Sequence, residues 1–108
     1  MFDSFEHEQH SRIDTVLNET IPRRAPLSLS GITSTSHQGA SVDAVYASYG
    51  EDNQLVEVAK VDQNSRWVLP IPTLSLPPGK NILRVWSYSA KTDHFVQIGH
   101  DIKINLVA

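Results

Sequence analysis

Apolar and polar residues alternate along most of the chain after Pro26. A repeat of two residues is typical of β-strands that bury one face. The runs that show it are "LSLSGI" (27–32), "ASVDAVYASY" (40–49), "QLVEVAKV" (54–61), "RWVLPIP" (66–72), "ILRVWSYS" (82–89), "HFVQI" (94–98) and "DIKINLV" (101–107). We therefore expect seven or eight short strands between residues 27 and 108.

Turn signals separate these runs. They are "GEDN" (50–53), "DQNS" (62–65), "PPGKN" (77–81) and "AKTD" (90–93). Turns at intervals of about 8–12 residues, with no helical pattern between the strands, favour an antiparallel sandwich or barrel. Pro70 should limit its strand to an edge or an end, and Gly99 should permit a kink or bulge.

The first 26 residues have a different pattern. Ile13, Val16, Leu17 and Thr20 recur at spacings of three and four, which predicts a helix of one or two turns with Ser11 as its N-cap. Two prolines in "IPRRAP" then predict an extended linker. We expect a short, partly helical N-terminal arm at residues 1–26 and a β-domain at residues 27–108.

Composition restricts the function. The chain has 108 residues, 40% of them hydrophobic and 19% charged, which fits one globular domain. The net charge of −3, without a cluster of Lys and Arg, argues against nucleic-acid binding. The absence of cysteine excludes disulfides and cysteine-based metal sites. No apolar run approaches the roughly 20 residues of a membrane span.

The run from Trp67 to Val85 has a recognisable order of residues. Its pattern, W-x-L-P-I-P-x-L-x-L-x-x-G-x-N-x-L-x-V, resembles the second half of bacterial immunoglobulin-like domains. The earlier "GASVDAVYASYG" (39–50) is similar to a glycine-preceded strand of that family. The resemblance covers residues 27–108. It implies an immunoglobulin-like antiparallel β-sandwich with an inward Trp67, a role as spacer or adhesive module, and no enzyme activity.

Candidate chemistry is weak. His7 and His10 lie three residues apart between glutamates, which permits a weak metal site, but a solvated polar tail explains them better. Ser48, His94 and Asp43 form a nucleophilic triad only on paper, because no nucleophile elbow is present. The acidic turn residues do not form the oxygen cluster that calcium needs. We predict no catalytic residue, no metal and no cofactor.

Arg84, Trp86 and Tyr88 should share one face of a strand, because they occupy alternate positions. Aromatic side chains on a sheet surface can stack on sugars or form the centre of a protein interface. They also favour strands for packing alone. An exposed ligand face and packing under a loop therefore remain open.

Large apolar residues in the arm indicate a second candidate surface. Two of the three phenylalanines lie in the first five residues. The apolar residues that we predict to bind a partner are Phe2, Phe5, Ile13, Val16 and Leu17. The arm either folds back on its own domain, docks on a partner or is a frayed terminus.

A displayed sandwich with an attachment arm resembles bacteriophage head decoration proteins and other virion accessory proteins. That resemblance implies a structural protein of the virion, made in the host cytoplasm if Met1 is the natural start, and bound through its arm to a capsid or another symmetric assembly. The alternative is an adhesion or carbohydrate-binding module of a bacterial surface protein, with surface glycans as ligands.

Overall fold

The computed structural model describes residues 11–34, 36–37 and 40–108. Within these residues the regular structure is β, apart from one short 3-10 turn at Thr73–Ser75. The strands are β1 (Arg12–Ile13), β2 (Thr20–Pro22), β3 (Leu27–Ile32), β4 (Ser36–His37), β5 (Ala40–Ser41), β6 (Ala44–Tyr49), β7 (Gln54–Lys60), β8 (Arg66–Ile71), β9 (Gly79–Ser89) and β10 (His94–Val107). The predicted all-β class is confirmed.

Two sheets form a sandwich-like arrangement. The order is β1-β3-β8 in the three-stranded sheet and β2-β10-β9-β6-β7 in the five-stranded sheet, while β4 and β5 pair as a separate ribbon. Neighbouring strands run antiparallel except β2 and β10, which are parallel. Strand β8 lies at a sheet edge, as Pro70 predicts, because proline cannot donate a hydrogen bond to a further strand.

The core lies between the sheets. Trp67 is only 2% exposed, which confirms that it points inward. The other buried apolar residues are Ile21, Leu27, Leu29, Val45, Ala47, Leu69, Ile71, Leu76, Leu83, Val85, Ile98, Ile104 and Leu106. The alternation along each strand therefore directs one face into the sandwich and the other outward.

The predicted helix in the arm is wrong for the described residues. Residues 12–13 form β1, and residues 14–18 have no regular secondary structure. Exposure alternates along residues 11–18, with Ile13 and Leu17 half-buried and Val16 95% exposed. The amide of Asp14 donates to the Ser30 carbonyl at 2.8 Å, so strand pairing takes the place of helical hydrogen bonds. The β-branched residues in this segment lose side-chain freedom in a helix and suit a strand.

Two strands before residue 27 join the sandwich on both sheets. Strand β1 pairs with β3, and β2 pairs with β10. The amide of Asn105 donates to the Glu19 carbonyl at 2.6 Å, and the amide of Arg23 donates to the Val107 carbonyl at 2.7 Å. Strand pairing therefore crosses the predicted boundary at residue 27.

Three further details refine the strand predictions. The run predicted at residues 40–49 is divided, because β5 pairs with β4 and β6 begins at Ala44. The last two predicted runs form one continuous strand, β10. Its pairing with β9 shifts register between Ile98 and Ile102, around Gly99 at φ 70°, so the predicted irregularity at this glycine is confirmed.

In the part that the structure describes, no helix is long and apolar enough to cross a membrane.

Gly31 permits the close approach of β1. A Cβ atom at this position would overlap the carbonyl oxygen of Arg12 and lie 2.7 Å from a ring carbon of Trp67. Both neighbours are fixed, one as strand backbone and the other as a buried ring. The seating of β1 against β3 therefore requires glycine here.

Replacing Gly31 by alanine should destabilise the fold. The added methyl group must displace β1 or Trp67, and overpacking of this kind costs about 1–3 kcal/mol. Urea unfolding of Gly31→Ala should show a lower midpoint, whereas Ser28→Ala, at an exposed position on the same strand, should not. Equal midpoints for the two variants would contradict this packing.

Removal of the N-terminal strands should also destabilise the chain. A variant that begins at Leu27 loses the buried Ile21 and the half-buried Ile13 and Leu17. The burial of Ile21 alone is worth about 1.5–3 kcal/mol. A variant that begins at Ser11 should therefore unfold at clearly higher urea than one that begins at Leu27. Coincident unfolding curves would show that β1 and β2 contribute nothing.

Candidate binding face on the five-stranded sheet

The outward side of the five-stranded sheet carries the predicted face. Arg84, Trp86 and Tyr88 on β9 point away from the core, because Leu83, Val85 and Ser87, which alternate with them, are buried. The strand register places Trp86 between Tyr46 of β6 and Gln97 of β10. We use the term outer face for this surface of β6, β7, β9 and β10.

Three aromatic rings form a cluster at one end of the outer face. The ring centroids of Tyr46 and Tyr88 are 5.5 Å apart, those of Tyr46 and Phe95 are 5.4 Å apart, and those of Tyr88 and Phe95 are 4.6 Å apart. Two of the pairs are edge-on, with interplanar angles of 82° and 70°. Edge-on pairs are a favourable arrangement for aromatic side chains, so the rings stabilise one another in place.

Trp86 leans across the neighbouring strand. Its Nε1–H donates to the hydroxyl of Ser48 at 2.9 Å, and that hydroxyl donates to Oδ1 of Asn53 at 3.2 Å. Ser48 is fully buried beneath these contacts. The hydrogen bond fixes the indole over β6, where it lines an open groove of about 270 Å³ together with Asn53, Leu55 and Phe95.

Arg84 connects three segments around this groove. Its guanidinium donates to both carboxylate oxygens of Asp101, at 2.9 and 3.2 Å, and to Oδ1 of Asn53 at 2.9 Å. The side-chain amide of Gln97 also donates to Asp101, at 2.8 Å. The turn before β7 is therefore tied to β9 and to the irregular part of β10.

These contacts change the acid–base properties of the face. The hydrogen bonds from Arg84 and Gln97 lower the pKa of Asp101 to about 2. The same hydrogen bond to Asp101 raises the pKa of Arg84. The hydroxyl of Tyr88 donates to Asp93 at 2.8 Å, which raises the pKa of Tyr88. Arg84 and Asp101 therefore stay charged and paired near neutral pH.

Large apolar side chains remain exposed beside Trp86. Leu55 is 53% exposed, Val58 is 50% exposed and Phe95 is 41% exposed. Leu55 lies opposite Ser48, and Val58 lies opposite Tyr46, so both belong to the outer face. Sequence reasoning found Arg84, Trp86 and Tyr88, but it missed these three and Asn53. Only the strand order brings Leu55, Val58 and Asn53 to Trp86.

The predicted arm residues do not form one surface in the described part of the chain. Ile13 and Leu17 pack against the chain's own core, and Val16 points outward. Phe2 and Phe5 lie outside the described residues, as do His7 and His10. Partner binding by Phe2, Phe5, Ile13, Val16 and Leu17 remains a prediction, and Ile13 and Leu17 contact the chain's own core.

Ser48, His94 and Asp43 form hydrogen bonds with other residues and not with one another. Ser48 bonds Asn53 and Trp86, Asp43 accepts the amide of Ala90 at 2.7 Å, and the His94 ring lies 3.4 Å from the Thr92 carbonyl. Among the residues with described positions, no three His, Asp or Glu side chains are grouped to hold a metal ion.

Comparison with known proteins gives similarity at the level of structure. No family model matches the chain, and no curated protein matches it. The crystal structure of CopC from Methylosinus trichosporium OB3b aligns with 90% of this chain and 93% of its own, at 15% sequence identity and a TM-score of 0.47. The functional proposal therefore rests on this chain's own residues.

Loss of the Asp101 carboxylate should remove a pH-dependent part of the stability. Its pKa is about 2 in the folded protein and near its ordinary 3.8 in the unfolded chain, so its contribution is present above pH 3.8. That contribution is lost as the pH falls through about 2. The melting temperature of Asp101→Asn should lie below that of the wild type at pH 6, and the difference should narrow between pH 4 and pH 2.

The control for this experiment is Asp52→Asn, which removes an exposed carboxylate in the turn before β7. If the two variants give the same profile, the effect reflects net charge and not the pairing of Asp101 with Arg84 and Gln97.

Proposed function

We propose that this chain is a non-enzymatic binding module that contacts its target with the outer face of the five-stranded sheet. The observation that carries the proposal is the exposure of Leu55, Val58 and Phe95 around the half-buried Trp86. Exposed apolar side chains grouped on one surface are typical of interaction sites. Aromatic anchors such as Trp and Tyr are enriched among residues that dominate binding energy.

We further propose that the sandwich is of the immunoglobulin-like type. Support comes from the N-terminal segment, in which β1 pairs in one sheet and β2 pairs in parallel with β10 in the other. Such an arrangement leaves the outer face of β6, β7, β9 and β10 uncovered by other strands in the described part of the chain.

The outer face supports a role in adhesion more directly than a role as a virion accessory protein. Adhesion needs only a displayed surface. Attachment to a capsid through the arm would use Phe2, Phe5, Ile13, Val16 and Leu17, and two of these, Ile13 and Leu17, pack against the chain's own core. We therefore propose an adhesion or surface-recognition module, with a virion accessory protein as the alternative setting.

Site-directed photo-crosslinking tests the binding face. Benzoylphenylalanine would replace Phe95, Leu55 or Val68 in the full chain, in the cells or particles that carry it. Val68 is the matched control, since it is 59% exposed but lies on β8 in the opposite sheet. We expect adducts at positions 95 and 55 and not at 68. Equal adducts at all three positions, or adducts only at 68, would contradict the proposal.

Two further variants sharpen this experiment. Val58→Lys places a charge on the outer face and should lower the adduct yield at position 95, whereas Val68→Lys should not. A chain that begins at Ser11 should retain the adducts. Their loss in that variant would move the contact to residues 1–10.

A further inference from the structure

We propose that the groove beside Trp86 is a subsite for one pyranose ring of a neutral oligosaccharide. The inference rests on the proposed binding function and gives its target a chemical class. The groove is lined by Asn53, Leu55, Trp86 and Phe95. Its form, its size and its charge each favour a sugar ring.

The form comes from the position of the indole. Tyr46 lies opposite Trp86, and Ser48 lies two residues further along β6. The hydrogen bond from Trp86 Nε1 to Ser48 therefore holds the ring over the sheet. The polar edge of the indole is therefore already satisfied, and its apolar surface is available to a ligand. A fixed aromatic ring loses little conformational freedom when a ligand packs on it.

The size of the groove suits one ring. The groove is open on the solvent side and has a volume of about 270 Å³. This is smaller than the roughly 300–1,000 Å³ of sites that enclose a whole small molecule. Leu55 on β7 and Phe95 on β10 lie on either side of the groove. A longer chain would enter as one ring in the groove, with its neighbours along the open face.

Amide groups at the rim can bond to hydroxyl groups. Oδ1 of Asn53 accepts from both Ser48 and Arg84, so its NH2 group is the part of the amide left to donate outward. Gln97 donates its NH2 group to Asp101, so its carbonyl oxygen is left to accept. Asn53 in the groove and Gln97, opposite Trp86 on β10, thus offer a donor and an acceptor, the combination that sugar hydroxyls can satisfy in both directions.

The charge at the rim favours a neutral ligand. The cation of Arg84 is paired in a bidentate manner with Asp101, and Asp93 accepts the hydroxyl of Tyr88. An anionic ligand would have to compete with Asp101 for Arg84. A neutral ring does not compete in this way and leaves the Arg84–Asp101 pair intact.

Nuclear magnetic resonance titration of the full chain tests the subsite. The probes are four neutral tetrasaccharides (cellotetraose, chitotetraose, maltotetraose and mannotetraose), a hyaluronan tetrasaccharide as the anionic comparison, and a decaproline peptide as the peptide comparison. We expect at least one neutral probe to give saturable shifts at Asn53, Leu55, Phe95 and the Trp86 indole N–H. The hyaluronan and decaproline probes should give none there.

Variants separate a specific site from general stickiness. Trp86→Ala should weaken binding by about tenfold or more, as expected for an aromatic anchor. Trp86→Phe, which keeps a ring but loses the bond to Ser48, should weaken it less and covers the case in which the alanine variant does not fold. Val68→Ala should bind as the wild type does.

The inference is overturned if none of the neutral probes gives saturable shifts, if the shifts lie elsewhere, or if decaproline binds the groove instead. The adducts in the crosslinking experiment keep this failure separate from that of the proposed function. A protein adduct at Phe95 without any sugar binding leaves the binding face standing and removes only the pyranose subsite.

Discussion

The structure depends on the alternation of side chains along strand β9, the middle strand of the five-stranded sheet. Its inward residues, Leu83 and Val85, are fully buried in the core, and its outward residues, Arg84, Trp86 and Tyr88, form the centre of the outer face. A shift of one residue would exchange the two sets and expose the core positions. The same register therefore stabilises the fold and builds the candidate site.

The polar contacts of the outer face fix what the strand register brings together. Arg84 holds Asn53 and Asp101, and Ser48 holds Trp86, so the groove is bounded by side chains that are already bonded to one another. Because the groups are oriented before a ligand arrives, less conformational entropy is lost on binding. On the opposite sheet, Val68 is the one large apolar residue of β1, β3 and β8 that is exposed, so no comparable apolar group forms there.

Much of the fold was accessible from the sequence, because a period of two and regular turn residues are local properties. Trp67, Pro70 and Gly99 all have the roles that their types predict. The helix failed because Ile13 and Leu17 fit a spacing of four and a spacing of two equally well. Only the availability of β3 as a partner decides between them, and that is a tertiary contact.

The candidate site was accessible only in part for the same reason. Arg84, Trp86 and Tyr88 share a face by local spacing alone. Phe95 follows the turn at residues 90–93, so local sequence indicates that its strand is next to that of Trp86. Leu55 and Asn53 are 31 and 33 residues from Trp86, and no local pattern shows that they are close to it. The strand order β10-β9-β6-β7 supplies that information.

The most direct test of the central claim is hydroxyl-radical footprinting of the full chain, first isolated and then in its native assembly or on its native surface. We expect Trp86, Phe95 and Leu55 to become protected from oxidation in the bound state, while Val68 remains as reactive as in the isolated chain. Protection confined to Val68 and its sheet, with an unchanged outer face, would contradict the account.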